Sequence, residues 1–253
     1  MNDSVAQAYG RTIEQERVGS LVGLAPVATR TVLDIGARIG YIARQLSDRG
    51  FAVTALDLQR PDIADARITC VQGDTTQLPF GARSFDLVFC SEVLEHIERP
   101  ALERAAIELS RVARCHLIIG VPYQQDLRLW RTRCSSCGSI NPPWGHVNTF
   151  DEPSLLALFP DWRVRERHFV GVGEPGTNAL AAWLMDLAGN PYGTYVQDEG
   201  CIRCGATLKQ PGPRTPWQRV CTRAAVLARA ATARFEAPRP NWIHLLLERT
   251  ESA

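Results

Sequence analysis

The chain has 253 residues and a mass of 28.0 kDa, enough to bury the core of one α/β domain with insertions, or of a domain with a small appendage. A hydrophobic share of 45% with 22% charged residues is that of a globular chain, and no apolar run approaches the roughly 20 residues that span a bilayer, so no membrane span is expected. Lys+Arg 28 against Asp+Glu 27 leaves a net charge of +1, which supplies no global field for gathering nucleic acid and argues against a nucleic-acid partner.

The first residues, MNDSVAQAYGRTIEQE, lack a basic start followed by an apolar stretch, so a cytoplasmic protein is expected. Nearly every basic residue is arginine, Lys209 being the only lysine, which reads as coding bias. Between Cys201 and Pro240 there are eight basic residues and one acidic one, Glu236, so this segment could face something anionic.

From Thr31 short apolar strands alternate with helical stretches, the pattern of a parallel sheet with helices on both faces. TVLDIG (31–36) leads into a helix from Tyr41 to Asp48 with Gly50 as its stop, and FAVTALD (51–57) is the second strand. ITCVQGD (68–74) and SFDLVFCS (84–91) follow, then helical periodicity over 93–113 and a fifth strand, HLIIGVPY (116–123). Residues 124–145 hold a cysteine pair, Pro142-Pro143 and two tryptophans, the composition of a loop or lid. A short helix is expected at 153–158, strands at 161–173 and 241–249, and helices at 178–187 and 217–235.

The expected organisation is an N-terminal helical segment (1–30), a nucleotide-binding core (31–123), a lid insertion with the first cysteine pair (124–160), and a closing strand pair whose insertion carries the second (161–253).

The loop Asp34–Ile35–Gly36–Ala37–Arg38–Ile39–Gly40 lies between the first strand and first helix, where glycines let a ligand approach the backbone. Asp57 closes the second strand about twenty residues on, where a carboxylate can accept from both hydroxyls of a ribose. Asp74 closes the third. A Gly-x-Gly-x-x-Gly dinucleotide loop is absent, because Gly36 and Gly40 are four apart with Arg38 between them.

VLDIGARIG, TALD, QGDTTQLPFGARSFDLVFCSEVLEHI and IIGVPY, in this order, resemble the class I S-adenosylmethionine-dependent methyltransferases over about 31–123. The resemblance implies a Rossmann-like, doubly wound α/β sheet of seven strands and S-adenosylmethionine as cofactor. It places Asp34, Gly36 and Gly40 at the methionine part, Asp57 at the ribose, Asp74 with Thr75 at the adenine, and Ser91 with Glu92 beside the sulfonium and the acceptor. The family commonly has a small residue where Arg38 stands; a guanidinium there could pair with the cofactor carboxylate or point outward.

Cys134–Ser135–Ser136–Cys137–Gly138 and Cys201–Ile202–Arg203–Cys204–Gly205 are two matching knuckles in a chain without a visible secretion signal, which favours metal over disulfides. Together they offer four thiolates to one structural zinc; such a closed shell would order a lid and leave catalysis elsewhere. Cys70, Cys90, Cys115 and Cys221 read as small core hydrophobes.

Transfer to a hydroxyl needs alignment and a base. His146, in WGHVNTF, is the preferred base, His96 the second, with Glu92 orienting acceptor or base; Glu95 reads as a solvated helix residue and His168 as a sheet residue. Trp130, Trp144, Tyr123 and Phe150 with nearby amides could stack on a sugar, so the expected partner is a small-molecule or saccharide acceptor: a sugar, a glycolipid or polysaccharide precursor, or a secondary metabolite. RNA methylation and a noncatalytic cofactor-binding assembly subunit are the alternatives. A homodimer is also open. Arg219, Arg223, Arg229 and Arg234 fall within an arc of about 140° on the last helix, a solvated face or a contact for phosphate, lipid headgroup or RNA.

Overall fold

The computed structural model describes residues 3–250, with side chains from residue 12 onward. Two compact units form: unit 1 comprises Met1–Tyr123, Phe150–Val172 and Pro240–Ala253, and unit 2 comprises Gln124–Thr149 and Gly173–Arg239.

Unit 1 opens with α1 (Asp3–Gly23) and contains β1 (Thr31–Ile35), α2 (Tyr41–Asp48), β2 (Ala52–Asp57), β3 (Ile68–Gln72), β4 (Phe85–Ser91), α3 (Ala101–Val112) and β5 (Ala113–Pro122). These strands pair in parallel because apolar runs such as Val32–Ile35 and Leu87–Cys90 are buried on both faces. β4 sends Leu87 and Phe89 to one core and Val88 and Cys90 to the other. Helices α1 and α2 cover the first face with Leu21 and Leu46, and α3 covers the second with Leu102 and Leu109. Phe89 is fully buried, and truncating such a ring costs about 3–5 kcal/mol.

The expected continuous helix over 93–113 does not form. Leu94–His96 is a single 3-10 turn, and the α-helix begins at Ala101 with Pro100 at its N-cap. Proline restricts the residue before it and lacks the amide that an interior helical turn needs, so the break is encoded in Arg99–Pro100.

The sheet is completed by β8 (Trp162–Val170) and β9 (Trp242–Arg249), giving seven strands in the order β3-β2-β1-β4-β5-β9-β8 with β9 antiparallel to both neighbours. This is the Rossmann-like arrangement expected. β8 is an edge strand, and its charged residues Arg163, Arg165, Glu166 and Arg167 are exposed, which discourages pairing with another chain. The short α4 (Glu152–Leu156) is closed by a reciprocal Asp151–Ser154 cap.

Unit 2 contains the two-residue strands β6 (Thr132–Arg133) and β7 (Ile140–Asn141), and the helices α5 (Ala179–Leu187) and α6 (Pro216–Ala233). Asn178 caps α5, and Thr215 with Gln218 forms a capping box on α6. Of the four scattered cysteines Cys90 and Cys221 are buried and Cys70 is half-buried against the core that holds Leu46, whereas Cys115 is exposed and is not the core residue expected. Cys115 lies near the start of β5, where the burial pattern is still open on that side.

Candidate cofactor and metal sites

Because β3, β2, β1 and β4 are parallel neighbours, their carboxyl ends form one lip of unit 1. Asp34 in β1 is buried, and its Oδ2 has no hydrogen-bond partner. Burial, followed by the charge of Asp57, pushes its carboxyl up to about 8. The loop after it turns back at Gly36 and Gly40, whose φ values are +74° and +75°. A Cβ at Gly36 would lie 2.4 Å from Val93 Cγ2, and one at Gly40 2.3 Å from Ile63 Cδ1, so both positions require glycine for space as well as conformation.

Arg38 occupies the left-handed region with φ of 45°. Its side chain is exposed and its amide donates to Asp57 Oδ2 at 2.9 Å. The backbone thus follows a path that glycine takes freely, at a cost of about 1–2 kcal/mol for a residue with a side chain. The Leu58 amide donates to the other oxygen of Asp57 at 2.7 Å, which fixes that carboxylate at the end of β2.

β3 ends at Gln72, and Asp74 stands in the turn beyond it, where Oδ1 accepts from both the amide and the hydroxyl of Thr76 at 2.8 Å. Thr75 beside it is buried. Ser91 ends β4 and is buried; Glu92 follows with φ of 55°, its amide donating to Gly120 O at 3.0 Å. Glu92 Oε1 has no partner, and burial pushes this carboxyl up to about 7 against the opposing charge of Arg17.

Three features escape a reading of the sequence. Arg17 of α1 is buried, is held by Glu14, and donates to Ser91 Oγ at 3.2 Å across 74 positions of chain. Glu95 is fully buried, contrary to the solvated residue expected, because it sits in the 3-10 turn and not on an outward helical face; desolvation, then the charge of Glu92, raises its carboxyl well above the usual range. His244 of β9 is also fully buried, with Ser20 Oγ bridging its Nδ1 to that of His168 at 2.9 and 3.1 Å. Arg17 and His244 lie outside the family-like stretches, so only the packing of α1 and β9 reveals them.

The unpartnered Asp34 oxygen, the two obligatory glycines and the amide-anchored Asp57 are what an amino-acid ammonium and a ribose require, so the residues fit S-adenosylmethionine. His96 closes the 3-10 turn after β4 and is half-buried.

In unit 2, His146 is buried and its Nδ1 lies 2.6 Å from Gln125 Oε1. The amide oxygen accepts the Nδ1 proton, which places the lone pair on Nε2. The thiols of Cys134, Cys137, Cys201 and Cys204 lie within 4.8 Å of one another, with Sγ···Sγ separations of 3.7 Å for Cys134–Cys204 and 3.6 Å for Cys137–Cys201. A tetrahedral zinc with bonds of about 2.3 Å spaces its sulfurs at about 3.8 Å, so the donor set fits the metal.

The two knuckles repeat one another. Gly138 N donates to Cys134 O and Gly205 N to Cys201 O, both glycines having positive φ, and Cys134 N and Cys201 N donate to Ser139 O and Ala206 O respectively. The side chain of Asn141 ties them together by accepting from the Ile202 amide at 2.9 Å.

Residues 33–116 match the family described as Methyltransferase domain. A ubiquinone biosynthesis O-methyltransferase from Azotobacter vinelandii is 32% identical over 178 residues, covering 66% of this chain and 70% of that one. The chain belongs to the class I S-adenosylmethionine-dependent methyltransferase family.

Another ubiquinone biosynthesis O-methyltransferase, from Paracidovorax citrulli, is 32% identical over 96 residues, or 34% of this chain; the matched stretch spans 40% of that relative's length. Among solved structures, the Burkholderia thailandensis 1,6-didemethyltoxoflavin-N1-methyltransferase, determined with 1,6-didemethyltoxoflavin and S-adenosylhomocysteine, is similar at a TM-score of 0.53 and 14% identity, covering 98% of this chain and 86% of that one. That similarity is one of fold. Among the described residues no helix is long and apolar enough to cross a membrane.

Proposed function

We propose that this family member is an O-methyltransferase that takes a methyl group from S-adenosylmethionine to a hydroxyl of a small molecule: a sugar, a glycolipid or polysaccharide precursor, or a secondary metabolite. The observation that carries the reading is the line of acidic and glycine positions at the parallel strand ends of unit 1, with Asp34 Oδ2 buried and unpartnered. The curated relatives named as O-methyltransferases support oxygen as the acceptor atom.

When bound, S-adenosylmethionine supplies an electrophilic methyl on a sulfonium, which leaves as a neutral thioether without help from a Lewis acid. In this reading Asp34 holds the ammonium, Gly36 and Gly40 admit the amino-acid moiety, and Asp57 accepts from the ribose. Asp74 and Thr75 border the adenine, Ser91 the sulfonium, and Arg38 pairs with the carboxylate.

His146 takes the acceptor proton, with His96 and Glu92 as the two other groups able to hold it. A hydroxyl proton passes to this base as the carbon–oxygen bond forms, so charge balances without a further reactant. Cys134, Cys137, Cys201 and Cys204 hold a structural zinc, which closes two segments separated by more than sixty residues into one fold and takes no part in transfer.

Calorimetry with S-adenosylhomocysteine, followed by a labelled-methyl assay over sugars and phenolic metabolites, tests the proposal. Cofactor binding with label on a hydroxyl is expected. Absence of binding would remove the whole reading, and binding without transfer to any acceptor would favour an assembly subunit.

A further inference from the structure

We infer that the exposed face of α6 in unit 2 docks on the surface of an anionic lipid bilayer. α5 and α6 are neighbours, with Ala181 and Ala182 of α5 and Cys221, Thr222 and Ala225 of α6 buried, and Asn178 Nδ2 donates to Ala228 O at 2.8 Å. α5 exposes Leu180, Trp183 and Leu187 on its side opposite Ala181 and Ala182, apart from the face of α6.

α6 exposes Trp217, Val220 and Leu227, with Leu227 72% accessible; these three fall within an arc of about 80° at 100° per residue. Arg219 and Arg223, both exposed, border that stripe on one side, and Pro216–Ala233 contains no acidic residue. Arg229 projects elsewhere on α6, where it pairs with Glu174 at 3.1 Å.

An apolar stripe bordered by arginines, with tryptophan at its edge, has the composition of a helix lying in the headgroup region. The charge is complementary to anionic lipid. A cleft of about 480 Å³ at the start of α6, lined by Tyr192, Gln210, Arg214 and Arg219, adds cationic and aromatic surface beside the stripe. Arg214 lies over the Tyr192 ring at 5.5 Å.

A second copy of this chain is a poorer occupant, because an isologous contact would bring two sets of Arg219 and Arg223 into one interface with no acid on α6 to pair them. RNA would use the arginines but gains nothing from exposed Val220 and Leu227.

The inference is independent of methyl transfer, and its test has no turnover in it. The full chain is floated on a density gradient with vesicles of equimolar phosphatidylcholine and phosphatidylglycerol, and separately with phosphatidylcholine alone. Flotation with the anionic vesicles only is expected, weakening as salt is raised. The pairs Trp217→Ser/Leu227→Ser and Arg219→Glu/Arg223→Glu should each lower the bound fraction by about tenfold or more. These side chains are exposed, so the variants should keep the circular dichroism spectrum of the unsubstituted chain.

No flotation of the unsubstituted chain, or equal flotation with the neutral vesicles, would overturn the inference. A concentration-dependent dimer that the same pairs abolish, or a gel shift with RNA, in either case without flotation, would assign the face to that partner instead.

Discussion

Asp34 and Asp57 stand at the carboxyl ends of neighbouring parallel strands, and the charge of Asp57 adds to burial in keeping Asp34 protonated up to about pH 8. Asp57 itself is pinned by the amides of Arg38 and Leu58. The pair therefore divides into one carboxyl that is neutral in the ligand-free protein and one that accepts from two backbone donors. A cationic ligand group beside Asp34 would draw off its proton.

This division sets a pH dependence. The Asp34 carboxyl is raised from 3.8 to about 8 on folding, so between those values the folded chain binds more protons than the unfolded one, and stability falls as pH rises. Glu92, raised to about 7, acts in the same direction. The slope for one fully coupled proton is about 1.4 kcal/mol per pH unit. Thermal melting of the ligand-free protein should decline from about pH 5 to about pH 8, and Asp34→Asn should flatten the decline. Equal slopes in the two proteins would show that Asp34 is not the group titrating.

Asp57→Ala should weaken S-adenosylhomocysteine binding by about 10- to 100-fold, the loss expected when charge-assisted hydrogen bonds to a ligand are removed. Isothermal titration reads this directly. Unaltered affinity would undo the ribose assignment.

The native chain should carry one zinc per molecule, and the Cys134→Ser/Cys201→Ser variant none. Hydrogen exchange after chelation should rise around β6, β7 and residues 200–208, while β1, β4 and β5 stay protected, because the cysteine cluster and its small core with Tyr195 and Leu208 lie within unit 2. Zinc content unchanged by the double substitution would remove the metal assignment.

His146→Ala should lower turnover by about 10²- to 10⁴-fold with S-adenosylhomocysteine affinity nearly unchanged. Full activity in this variant would pass the role to His96 or Glu92. Those two separate by their pH–rate profiles: loss of an acidic limb near pH 7 in Glu92→Gln would mark the carboxyl that burial raises to about that value.

The sequence by itself determined the strand order of chemistry. VLDIG, TALD and SFDLVFCS are largely apolar runs with a polar residue at or next to the carboxyl end of the strand, the pattern of strands buried on both faces of a parallel sheet. Both cysteine knuckles were equally legible, since a repeated Cys-x-x-Cys-Gly is a local turn whose glycine adopts positive φ. Even the failure of the helix at 93–113 was written in Pro100.

Tertiary structure alone decided the rest. Arg17 reaches Ser91 only because α1 packs on the face that carries β4 and β9, and Glu95 is buried only because a 3-10 turn folds it inward. Desolvation is a property of what surrounds a group in space, so the raised carboxyls of Asp34, Glu92 and Glu95 could not be read from spacing. The apolar faces of α5 and α6 follow the same rule: periodicity marks a stripe, but whether neighbours cover it depends on packing between residues far apart in the chain.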